Sequence, residues 1–203
     1  MRGKQMDYVK LPKTKRGEKT LNKICDAAEK LFSENSFYST EVHDIAAKAG
    51  VATGTFYVYF KDKASVFLHL LDELGRKLRR NIKMAKLEAP DASFIEQERI
   101  TFRVWFSFVR EHFSLFHIVW QSMFIDPVSF QRYYDRFSQG YISELEKSQE
   151  SGEIREIDSK IISYALMGIY TFAALRDAMD GTPESDEHTI DELVKFMAHG
   201  LLK

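Results

Sequence analysis

A single cysteine, Cys25, in 203 residues excludes a disulfide within one chain, and with it the stapled architecture of small secreted domains. Only four prolines occur, none inside a strongly periodic stretch, so long helices are permitted. No apolar run approaches the roughly 20 residues that a helix needs to cross a bilayer. Residues 1–19 are basic but lack the apolar segment of a secretory signal. These absences lead to the expectation of a soluble, cytoplasmic, helical protein with no membrane partner. Chemistry is missing too: the chain has no Walker loop, GxGxxG, GxSxG, HExxH or CxxC. His112 and His117 lie five apart, a poor spacing for one helical face, and the acidic residues are dispersed. No enzyme, no catalytic residue, no metal site and no cofactor are therefore expected.

Charge is nearly balanced overall, at −1, but not along the chain. Residues 1–63 hold 12 Lys and Arg against 8 Asp and Glu, whereas residues 64–203 hold 17 against 22. A basic head on an acidic body suits a polyanionic partner, though the excess alone does not establish one. Much of it sits in the arm 1–16, with Arg2, Lys4, Lys10, Lys13, Lys15 and Arg16, which shows little apolar periodicity and reads as flexible.

The most informative stretch is Thr40–Phe60, TEVHDIAAKAGVATGTFYVYF. Thr40 suits an N-cap. Val42, Ile45, Ala46 and Ala49 follow at helical spacing, and Gly50 fits a left-handed C′ position. After Val51 a second helix opens, with Phe56 and Phe60 facing inward and Thr53, Thr55, Tyr57 and Tyr59 facing away. That is the outline of a helix-turn-helix, whose second helix lies in the DNA major groove. Lys19–Glu34 carries the stripe Leu21, Ile24, Cys25, Ala28, Leu31, Phe32 that would cover the pair. Cys25 then reads as a small buried hydrophobe, with redox sensing as the alternative.

The segment from about Gly17 to Leu78 resembles the TetR family of bacterial transcriptional regulators. The resemblance is carried by Ala28, Leu31, Phe32, Thr40, Asp44-Ile45-Ala46, Ala49-Gly50-Val51, Gly54-Thr55, Tyr57, Tyr59-Phe60 and Lys63. Two positions depart from it: Ala52 stands where the family often has Ser, so Thr53 is expected to cap instead, and His43 stands where many members have Arg. The resemblance implies an all-α protein in which an N-terminal three-helix DNA-binding domain precedes a larger helical ligand-binding and dimerisation domain. The boundaries expected are a flexible basic arm 1–16, a DNA-binding domain 17–63 with its motif at 41–60, and a regulatory domain 64–203. Thr53, Thr55 and Tyr57 are the candidates for base-edge contacts, and Thr40, His43, Tyr59 and Lys63 for phosphate contacts.

Beyond residue 62 the chain reads as successive long helices, broken at Pro90, at Pro127, after Gly152 and at Asp180-Gly181-Thr182-Pro183, with Ser185 or Asp186 capping the last. Both tryptophans and many phenylalanines fall between Phe94 and Phe124. They serve as core or as the wall of an interhelical pocket, and Phe102, Trp105, Phe106, Phe116, Trp120, Phe124 and Tyr170 are the candidates for ligand contact. Two terminal apolar helices that one small domain cannot cover suggest a homodimer through a four-helix interface. The expected function is a ligand-responsive regulator, repressor by default, that binds a near-palindromic double-stranded DNA operator as a homodimer. A small lipophilic or aromatic effector would release it. A ligand-independent architectural DNA-binding protein is the alternative.

Overall fold

The breaks expected at Pro90, Pro127 and around Gly152 fall at helix ends. In the computed structural model, which describes residues 8–180 and 185–202, nine helices follow in order: α1 Lys15–Asn35, α2 Val42–Ala49, α3 Thr53–Tyr59, α4 Lys63–Leu87, α5 Phe94–Glu111, α6 Phe113–Ile125, α7 Pro127–Glu150, α8 Ser159–Asp180 and α9 Ser185–Leu201. Among the described residues there is no strand, only one isolated bridge between Ile154 and Leu202. The fold is all-α, as expected. Gly181–Pro183 and the side chains of Ser185 and Asp186, on which a break and a cap were expected, lie outside the described residues.

The chain divides into two compact units, 1–74 with 114–130, and 75–113 with 131–203. That division does not follow the expected boundary after Lys63, since the first turns of α4 and nearly all of α6 belong with the head. Helix α4 contributes to both units, its first half to one and its second half to the other.

The first unit closes on Ile24, Ala28, Phe32, Ile45, Phe56, Phe60, Val66 and Phe67, all buried. Phe67 meets the rings of Phe32 and Phe37 edge-on, with centroids 5.4 and 5.1 Å away. Gln121 of α6 seals the end of α1: its Oε1 accepts the Phe37 N–H at 2.7 Å, and its Nε2 donates to the Phe32 carbonyl at 3.2 Å. Between them Ser36 takes φ 70°, ψ 166°, a conformation that non-glycine residues seldom adopt.

In the second unit α5 packs on α8 and α9. The contacts are tied by ion pairs from one side of α5: Arg99 to Asp191, Arg103 bidentate to Glu187 at 2.8 Å, and Arg110 to Asp177 at 2.6 Å. Gly75 lets α4 and α7 approach closely, because a Cβ there would lie 3.0 Å from the Tyr133 ring.

Candidate DNA-binding surface and effector cavity

The turn between α2 and α3 is built as its residues require. Gly50 holds φ 67°, ψ 37°, the left-handed conformation that spares a residue without Cβ. Phe56 turns inward and is fully buried, which leaves the opposite side of α3 to solvent. Thr53 is exposed, Tyr57 is 55% exposed, and Thr55 and Tyr59 are half-buried. Val58, not foreseen as a contact, is as exposed as Tyr57. Its methyl groups suit a thymine methyl, but an apolar residue beside tyrosines carries no polar signal by which sequence reasoning could select it. On α2, His43 is well exposed, its Nε2 3.1 Å from the Asp44 carboxylate.

Three capping and contact expectations are corrected. Thr40 is not the N-cap of α2; Glu41 is, forming a capping box with Asp44. Nor does Thr40 face outward: it is 1% exposed, and its hydroxyl donates to the Ser36 carbonyl at 2.8 Å with the Leu31 carbonyl 3.3 Å away. A hydroxyl so committed fastens the α1–α2 connection and does not reach a phosphate. Thr53 does not cap α3 either, since Ala52 holds that position without a side-chain bond.

Lys63 also works inward. Its Nζ donates to the Thr40 carbonyl at 2.6 Å, lies 3.5 Å from Glu41 and sits 4.7 Å over the Phe37 ring. The ammonium therefore bolts the start of α4 to the start of α2, a positioning role. The arm differs from expectation over its described part. Residues 15 and 16 are helical, Lys10 N–H donates to the Tyr59 carbonyl at 2.8 Å, and Tyr8 Oη is 3.3 Å from Ser129 Oγ. Residues 1–7, the remainder of that arm, lie outside the described residues.

The second unit contains a cavity of about 710 Å³ walled by α4, α5, α7 and α8. Its apolar lining includes Ile82, Phe94, Trp105, Phe137, Met167 and Tyr170. Of the seven expected ligand residues, only Trp105 and Tyr170 line it; their rings stack 5.3 Å apart. Phe102 and Phe106 are buried as core beside that wall and do not line it. Phe116, Trp120 and Phe124 belong to the first unit. Phe116 is core, while Phe124 is 72% exposed.

What the apolar pattern hid is a polar centre. Glu98 is fully buried, accepts a hydrogen bond from the Tyr170 hydroxyl and lies 3.8 Å from Lys86 Nζ, which pairs with Glu144 at 2.6 Å. Burial pushes the Glu98 carboxyl up to about 7, against the opposing pull of Lys86. The Tyr141 hydroxyl is raised well above its ordinary value, first by burial and then by the Glu98 charge. In the first unit, burial and then Asp26 push the Cys25 thiol up to about 12, so it carries no reactive thiolate near neutral pH. Among the described residues no group of three or more His, Cys, Asp or Glu side chains is placed to hold a metal ion, and no helix is long and apolar enough to cross a membrane.

A buried inward face, a glycine turn and an exposed Thr/Tyr face on α3 together make a helix-turn-helix. Residues 24–70 match the family described as bacterial regulatory proteins, tetR family. That stretch therefore carries a DNA-binding region of the TetR kind. The chain is accordingly a DNA-binding transcriptional regulator, and its relatives point to a regulatory, non-enzymatic role. It is 26% identical over 151 residues to the fatty acid metabolism regulator protein of Bacillus subtilis, a match covering 71% of this chain and 76% of that protein. Another Bacillus subtilis HTH-type transcriptional regulator, YhgD, is 25% identical over 185 residues, 88% and 94% of the two chains. The solved structure of the fatty acid degradation regulator FadR from Bacillus halodurans superposes with a TM-score of 0.71 at 21% identity, covering 89% of this chain and 97% of that one. At that identity the likeness establishes the TetR fold and no more.

Proposed function

We propose that this protein is an effector-released repressor: a homodimer that binds a near-palindromic operator through α3 and leaves it when a lipophilic molecule enters the cavity of the second unit. The observation that carries the proposal is the cavity's wall. Ile82 and Lys86, which line it, stand on α4, and the first turns of that helix belong to the head. A ligand that favours one position of α4 thereby biases the head through a continuous helix, and operator and effector must weaken each other's binding equally. Thr53, Thr55, Tyr57 and Val58 are assigned to bases, His43 and Tyr59 to phosphates. The dimer is assigned to α8 and α9, where Ile161, Phe172, Met179 and Phe196 stand exposed as large apolar side chains on a single chain. The name of the Bacillus subtilis relative supports an effector drawn from fatty acid metabolism, and a cavity of this size suits an alkyl chain.

The test is release of a bound operator by saturated fatty acids of increasing chain length, followed by fluorescence anisotropy. Release is expected for the wild type. Gly140 lines the cavity, and a Cβ there meets nothing within 4 Å, so the side chain of Gly140→Phe starts into that space unobstructed at its Cβ. That variant should bind operator normally and resist release. Release equal to wild type from Gly140→Phe contradicts the assignment of the cavity.

A further inference from the structure

The cavity's charge is specific in sign and arrangement. Five cations line it, Arg79, Lys83, Lys86, Arg136 and Lys147, against the three carboxylates Glu98, Glu144 and Glu153. Glu153 is already committed, accepting the Phe94 N–H at 2.5 Å. Three polar atoms of lining residues are buried without a hydrogen-bond partner: Gln97 Oε1, Glu98 Oε1 and the Trp105 indole N–H. The first two are acceptors and the indole is a donor. A buried donor with no acceptor costs free energy that a ligand's acceptor recovers. Lys86 lines the same cavity. Its side chain is mostly buried, 5.7 Å over the Tyr141 ring and bracketed by Glu98 and Glu144.

Taking the cavity as the effector site, we propose that it receives an amphiphile with an anionic head group, held by Lys86 and the Trp105 N–H, and that Glu98 takes up a proton from solvent as the head group binds. The two carboxylates around Lys86 respond differently because they are exposed differently. Glu144 is about half exposed and can turn to water, releasing Lys86. Glu98 is enclosed and cannot leave, so a second anion beside it is tolerated only when Glu98 is neutral. The groups facing Glu98 are Lys86 from α4, Tyr141 and Glu144 from α7, and Tyr170 from α8. Of these, Lys86 favours the ionised carboxylate and Glu144 opposes it, while burial has already brought its pKa to about 7. The proton is therefore inexpensive near neutral pH, and no bond in the effector is made or broken. A cationic amphiphile would have to sit between Glu98 and Glu144 with Lys86 expelled, against the cationic excess of the lining.

The experiment is calorimetric titration of the full chain with dodecanesulfonate and with dodecyltrimethylammonium, which share a chain length and keep their charge at every pH used. Each is measured at pH 6 and pH 8.5, in buffers of different ionisation heat so that proton uptake is read directly. Dodecanesulfonate is expected to bind on the order of tenfold more tightly at pH 6 than at pH 8.5, with uptake of up to one proton. Glu98→Gln should bind it at pH 8.5 about as tightly as the wild type does at pH 6, with no proton uptake. Lys86→Met should lose most of that affinity, with helicity by circular dichroism confirming that both variants fold. Preference for the ammonium, or sulfonate binding without pH dependence or proton uptake, overturns the proposal and leaves the cavity as the effector site. Binding of neither overturns both.

Discussion

Replacing Glu98 by Gln removes one ionisable proton from the interior and leaves the shape of the side chain. The carboxyl titrates at about 7 in the folded protein against 4.5 ordinarily, so the fold prefers its protonated form. The sign follows from linkage: below about pH 4.5 both states hold the proton and no cost arises. Between there and pH 7 the unfolded chain releases its proton first, and stability falls. Above pH 7 the loss is complete, at about 3 kcal/mol if the whole shift is realised. The Glu98→Gln variant carries no such cost, can still accept from Tyr170, and leaves Lys86 its closer partner Glu144. Urea unfolding at pH 5 and at pH 8 should therefore show the variant close to wild type at the lower pH. At the higher pH it should be more stable by about 1–3 kcal/mol. Equal stabilities at pH 8, or a gap that persists unchanged at pH 5, would refute the assignment of Glu98 as a costly buried carboxylate.

Three further outcomes are expected. Tyr57→Ala should weaken operator binding by about 1–3 kcal/mol without unfolding the protein, since the side chain is largely exposed; undiminished affinity in a folded variant removes Tyr57 from the contacts. Lys63→Met should lower stability by about 1–3 kcal/mol through loss of a charge-assisted bond to Thr40, and leave the salt dependence of operator binding unchanged. A salt slope reduced by about one would instead make Lys63 a phosphate contact. Joint replacement of Phe172 and Phe196 by Glu should yield monomers in sedimentation velocity, whereas an unchanged dimer would place the interface elsewhere.

The helix-turn-helix was legible in sequence because its signals are local. Gly50 marks its turn, Ile45 and Phe56 mark its inward faces, and the Thr/Tyr set is what remains. Even there, Thr40 and Glu41 are adjacent capping residues, and only the reciprocal bond with Asp44 shows which one serves. The cavity was far less legible. Glu98 owes its character to Lys86, Tyr141, Glu144 and Tyr170, which come from three other helices. No spacing within α5 reveals that meeting. Helix α6 is apolar on nearly every side, so periodicity could not separate buried Phe116 from exposed Phe124. Inward function was equally hidden at Lys63, whose partners lie more than 20 residues earlier.

The central claim, sequence-specific operator recognition through α3, is tested most directly by selecting bound duplexes from a random DNA pool and titrating the enriched site against salt. A palindromic site bound at least about a thousandfold more tightly than random duplex is the expected result. Enrichment of no palindrome, with affinity governed by salt alone, would contradict it and favour a ligand-independent architectural DNA-binding protein.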